Sequence, residues 1–174
     1  VLMFPVTGAG TLAYTSTNDL PGAFTLDEIG VFGNAAGSLT ISAGAYSSLR
    51  FAGAAPRINA FSGGNIRIDS RVSNAGTQLL IDLPMNGSLA LDRIVSSLTG
   101  MYVENIVNST LTLAARNRLS GDVVLADPLS LVLGNVDSLG LARLVAGGNA
   151  TLSLGTATFA TPPNDPPYLR NKID

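Results

Sequence analysis

The sequence predicts an all-β domain: an antiparallel, jelly-roll-like sandwich carrying one or two short helices, with a right-handed β-helix as the alternative. Three observations lead there. Polar and apolar residues alternate with period two in short runs. Those runs are separated by Gly, Ser, Asn and Pro, of which 19 are glycines and 9 prolines. No helical segments of about 10–15 residues alternate with the runs, which favours a sandwich over an α/β fold. At 174 residues, 46% hydrophobic and mean hydropathy +0.35, the chain is long and apolar enough to bury one core without staples.

The first element is residues 1–17. Leu2, Phe4, Val6, Gly8, Gly10, Leu12 and Tyr14 fall on one face, and small or polar residues such as Thr7, Ala9 and Thr11 on the other. At about 3.3 Å per residue, 15 extended residues would reach roughly 50 Å, well beyond a common strand. Residues 38–42 and 49–51 alternate next. In 65–72, Ile66, Ile68 and Val72 point inward while Arg67, Asp69 and Arg71 face water. Residues 77–83 read as a buried strand ended by Pro84, and 110–113, 122–125, 129–133 and 151–154 complete the set.

Two segments break the pattern. Residues 88–98 space Leu91, Ile94, Val95 and Leu98 at helical intervals before Gly100. Residues 137–145 do the same with Leu141, Leu144 and Val145 ahead of Gly147. Either suits a short helix across one end of the sandwich, and both also tolerate a strand reading. The β-helix alternative rests on pieces that look repeated, 38–41 and 151–154, although no fixed period links them. The expected division is an extended segment over 1–17, a β-sandwich over 18–160 and a proline-rich tail over 161–174.

Composition narrows the function. The chain has no histidine, cysteine or tryptophan, and its only lysine is Lys172. Imidazole-dependent triads, thiolate chemistry, zinc ribbons and disulfides are therefore excluded, and no enzyme activity, cofactor or metal is expected. Ten basic against 12 acidic residues give a net charge of −2, no footprint for nucleic acid. No apolar run approaches the roughly 20 residues of a membrane span, and a start at Val1 fits a signal peptide already removed. Asp27 and Glu28 lack the loop of a calcium site. Asp69, Asp82 and Asp92 would serve either as a glycosidase carboxylate pair or, more ordinarily, as turn caps. Glycine-rich 33–37 and 61–65 lack the Lys-Ser/Thr of a phosphate loop, and the nine arginines do not cluster along the chain.

Charged residues make up only 13% of the chain, against about 25% in ordinary domains. A surface built from Ser, Thr, Asn and Gly suits packing against copies of the same chain, or carrying sugars outside a cell. The first segment carries the specific expectation. A long strand at a chain end can complete a neighbour's sheet, and a head-to-tail contact of that kind propagates as a filament. The donor face would be Leu2, Phe4, Val6, Gly8, Gly10, Leu12 and Tyr14. Three glycosylation acceptor sequences are centred on Asn86, Asn108 and Asn149.

Residues 10–18 (Gly-Thr-Leu-Ala-Tyr-Thr-Ser-Thr-Asn) followed by 22–26 (Gly-Ala-Phe-Thr-Leu) resemble the start of mature TasA/camelysin-type proteins, to which the archaeal bundling pilins are similar. The resemblance implies a secreted jelly-roll subunit that polymerises through its N-terminal strand into biofilm-matrix fibres. The expected role is thus an extracellular or cell-surface homopolymer serving biofilm or cell–cell adhesion, with neighbouring filaments or glycans as further partners. The alternative is a secreted monomeric adhesin or carbohydrate-binding β domain.

Overall fold

The computed structural model describes residues 1–6, 13–33, 37–60, 64–83, 86–104, 108–126, 129–147 and 150–155. Short strands, numbered in chain order, build three sheets. Sheet A contains β1 (Leu2–Val6), β4 (Glu28–Gly33), β7 (Arg57–Ala60), β10 (Leu79–Asp82), β13 (Met101–Glu104), β16 (Val123–Leu125) and β18 (Leu144–Ala146). Sheet B contains β2 (Ala13–Asn18), β5 (Ser38–Ala43), β8 (Asn65–Asp69), β11 (Ser88–Leu91), β14 (Thr110–Leu113), β17 (Ser130–Leu133) and β19 (Thr151–Leu154). Sheet C contains β3 (Gly22–Leu26), β6 (Ser47–Phe51), β9 (Arg71–Asn74), β12 (Val95–Ser97) and β15 (Arg118–Leu119).

The chain runs A, B, C and then A again, and each strand pairs in parallel with its counterpart one coil later, as β1 with β4, β2 with β5 and β3 with β6. This is a parallel β-solenoid. It corrects both the antiparallel sandwich expected from strand spacing and the jelly roll implied by the resemblance; the stacked alternative is the observed one. Short alternating runs satisfy either arrangement, because alternation reports one buried face and says nothing of strand direction.

The helical reading of these two segments is also corrected. Residues 88–98 form β11, a corner and β12, and 137–145 form a turn leading into β18. Leu89 and Leu91 point into the core from β11, and Val95 and Ser97 from β12. The corner between them shifts the phase of alternation and imitates a 3.6-residue period. Ile94 and Leu98, which a helix would bury beside Leu91 and Val95, are exposed.

The core consists of columns, one residue per coil. In sheet B, Leu39, Ile66, Leu89, Leu111 and Leu131 stack in register, beside Ile41, Ile68, Leu91, Leu113 and Leu133. Sheet A contributes Ile29, Ile58, Ile81, Val103 and Leu125. Nearly all are fully buried, and each such side chain gains about 1.5–3 kcal/mol from leaving water. Sheet C admits a polar step where Phe51, Asn74 and Ser97 stack. Asn74 is satisfied there: Gly76 N donates to its Oδ1 (3.2 Å), and its Nδ2 donates to Ser97 Oγ (3.3 Å) and Thr99 Oγ1 (3.2 Å).

Sheet C ends two strands short of the other two among the described residues. Residues 135–141 take the place of its next strand: Leu141 N donates to Leu119 O (2.7 Å) and Asn117 N to Asp137 O (3.1 Å). The inward side chain of Asn117 locks the join, donating from Nδ2 to Ser138 O (2.7 Å) and accepting from Val95 N at Oδ1 (2.8 Å). The apolar surface of the last turn is thereby closed on one side, with Leu139 buried beneath it.

Candidate functional site: a coil edge and an arginine-bearing face

Residues 1–6 and 13–26 make up the first coil. β1 lies along β4 of its own chain, pairing Leu2 with Ile29 and Phe4 with Val31, so both side chains continue inward columns. Phe4 is buried and Leu2 packs against the core. Val6 ends β1 opposite Gly33, and Tyr14 pairs with Leu39 through β2. Gly8, Gly10 and Leu12 lie outside the described residues, as does the proline-rich tail. The segment expected as a donor strand thus has a seat within its own molecule, leaving the far edges of β1, β2 and β3 without a strand partner among the described residues.

At the opposite end the two inward columns of sheet B finish on Leu152 and Leu154, paired with Leu131 and Leu133. Their exposures are 36% and 53%, while Leu131 and Leu133 are fully buried. A side chain oriented for the core but left in water marks where apolar surface is uncovered among the described residues.

Asn86 and Asn108 are exposed and adopt φ of 54° and 51°, the left-handed conformation that asparagine tolerates better than most residues. They occupy equivalent places, two residues ahead of β11 and β14, at the corner leading into sheet B. The Ser or Thr of each acceptor sequence is the residue that opens the strand. At both places the asparagine of the motif serves the left-handed turn of this corner. Asn149, at the matching place before β19, lies outside the described residues.

The outer face of sheet C collects arginines that look scattered in the sequence. Arg50, Ser73, Ser96 and Arg118 form one column, with Thr25 before them, and Ser48 and Arg71 lie in the column beside it. No acidic residue stands in either strand column. Arg50, Arg71 and Arg118 are exposed, and their guanidinium groups make no hydrogen bond or ion pair among the described residues. At one end this face opens into a groove of about 870 Å³ lined by Ile94, Leu98, Leu141, Arg116, Arg118 and Arg143. Leu98 and Leu141 are 80% and 87% exposed. Arg116 pairs with Asp137 (3.1 Å), and Arg143 donates to Asp122 Oδ2 (2.7 Å), a bond that holds the Asp122 carboxyl below its ordinary range. Sequence reading missed this face because its residues recur at the coil step, 23 residues from Arg50 to Ser73 and again to Ser96, then 22 to Arg118.

Of the acidic residues weighed as a glycosidase pair, Asp82 stands apart on another sheet, while Asp69 and Asp92 are neighbours on adjacent coils and each is engaged by an arginine. Asp69 and Asp92 sit at the corner between sheets B and C, cross-paired with Arg93 and Arg67. Asp82 projects from the outer face of sheet A, where Asn59, Asp82 and Glu104 are neighbours in adjacent strands. Burial raises the Asp82 carboxyl; Arg57 opposes that shift and Glu28 adds to it. Asn59 donates to Glu28, while its own Oδ1 is buried without a partner, as is Arg57 Nε. Among the described residues no three acidic groups converge to hold a metal ion, and no helix is long and apolar enough to cross a membrane.

Comparison with protein-family models, with curated proteins and with solved structures finds no match to this chain.

Proposed function

We propose that the chain is a structural subunit of an extracellular filament in which copies join coil to coil, the first coil of one on the last coil of the next. The observation that carries this reading is the uncovered end of the sheet B columns, Leu152 and Leu154. A neighbouring first coil would bring β1 onto β18 and β2 onto β19 in the same parallel sense that every rung uses internally. It would cover the two leucines and fill open edges, which otherwise are templates for uncontrolled pairing. The contact is head-to-tail and does not close on itself, so it extends into a fibre. In this reading the segment 1–17 meets the neighbour as a coil edge, not as a strand lent out of its own molecule. The matrix role implied by the resemblance of residues 10–26 is kept as part of the proposal.

Negative-stain microscopy and sedimentation of the secreted chain test this. Filaments are expected from the wild type, and folded monomers from the double variant Leu152→Lys, Leu154→Lys. A wild type that stays monomeric at all concentrations, or a double variant that polymerises normally, refutes the proposal.

A further inference from the structure

We propose that the outer face of sheet C is a binding surface for a carboxylated polysaccharide lying along the solenoid axis. The face is built from parallel strands, so groups on it are spaced along the axis in multiples of the strand spacing of about 4.8 Å. Arg50 and Arg118 stand in one column three strands apart, about 14 Å, with Arg71 in the neighbouring column between them. All three guanidinium groups lack a partner among the described residues, whereas Arg67, Arg93, Arg116 and Arg143 are each engaged by an aspartate. A planar guanidinium presents a fork of donors that matches a carboxylate. Ser48, Ser73 and Ser96 between the arginines supply hydroxyls for sugar hydroxyls. Exposed Ile94, Leu98 and Leu141 offer apolar contact at one end for the carbon-bound faces of sugar rings.

The other polyanions fit less well. Neither strand column presents an aromatic side chain on which a nucleobase would stack. Three guanidinium groups spread over about 14 Å along the axis suit a polymer that carries several charged units.

Affinity electrophoresis of the full chain through polygalacturonate tests the assignment. The wild type should be retarded, and retardation should weaken as salt rises. The triple variant Arg50→Ala, Arg71→Ala, Arg118→Ala should lose at least tenfold in affinity while keeping its circular dichroism and Tm, because none of the three guanidinium groups makes a bond among the described residues. Arg67→Ala, on sheet B, should bind like the wild type. Fully methyl-esterified polygalacturonate, with the same backbone and no charge, should not retard any of them. Absence of wild-type retardation, equal retardation by the esterified polymer, an unaffected triple variant, or tighter binding to polyglutamate or single-stranded DNA than to polygalacturonate would each overturn it.

Discussion

Truncating one leucine column coil by coil gives the sharpest energetic consequence of the stacked core. Leu91, Leu113, Leu133 and Leu154 occupy the same inward column of sheet B on four successive coils. The first three are 0–1% exposed, and Leu154 is half exposed. Replacing a buried leucine by alanine removes its transfer energy and leaves a cavity, together about 2.7–5 kcal/mol. At Leu154 about half of the 1.5–3 kcal/mol transfer term applies and no closed cavity forms, giving roughly 1 kcal/mol. Urea unfolding of the monomeric chain, below the concentration at which it assembles and monitored by circular dichroism, should therefore give three large losses and one small one. Pairwise combinations sharpen the test. Leu113→Ala with Leu133→Ala alters neighbours in contact and should depart from additivity by about 0.5–3 kcal/mol, whereas Leu91→Ala with Leu133→Ala, two coils apart, should add within about 0.5 kcal/mol. Equal losses at all four sites, or strong coupling between the more distant pair, would refute nearest-neighbour stacking.

Two further substitutions probe the corner geometry and the polar cluster on sheet A. Gly100 has φ +80°, and an added Cβ would press on the Asp122 backbone; Gly100→Ala should cost at least about 1–3 kcal/mol and lower the Tm measurably, and an unchanged Tm would contradict the strained corner. Asp82 holds its proton more tightly in the folded chain than in the unfolded one, so its contribution to stability declines as pH rises through the raised value. Asp82→Asn should be more stable than the wild type at pH 7, with the gap closing as pH falls toward the ordinary carboxyl range. A variant less stable at pH 7 would reverse that sign.

Much of the local structure was legible because alternation is set by burial. Ile66, Ile68 and Val72 face inward as expected, with Arg67 and Arg71 exposed, although a corner at Ser70 divides the expected strand into β8 and β9. Residues 110–113 and 151–154 are strands with the expected bounds. Strand direction was not legible, since it depends on which strand lies alongside. The repeat was hidden by unequal corners. Leu2 to Ile29 is a step of 27 residues and Ile29 to Ile58 one of 29, while Ile58 to Ile81 takes 23 and Val123 to Leu144 only 21. A search for one fixed period fails on such a chain even though the inward columns are regular. The arginine face was hidden for the same reason: Arg50 and Arg118 share a column only once the coil steps are known.

Spin-label distances test the parallel stack most directly, because a chain without cysteine accepts labels at chosen sites alone. Thr40, Thr112 and Ser153 lie on the outward column of sheet B, on its second, fifth and seventh strands. At about 4.8 Å per strand, the backbone separation should be about 14 Å for 40–112 and about 24 Å for 40–153. Label distances that lengthen by about 10 Å from the first pair to the second are the predicted result. Distances that fail to grow with coil number would contradict the solenoid and all that is built on it.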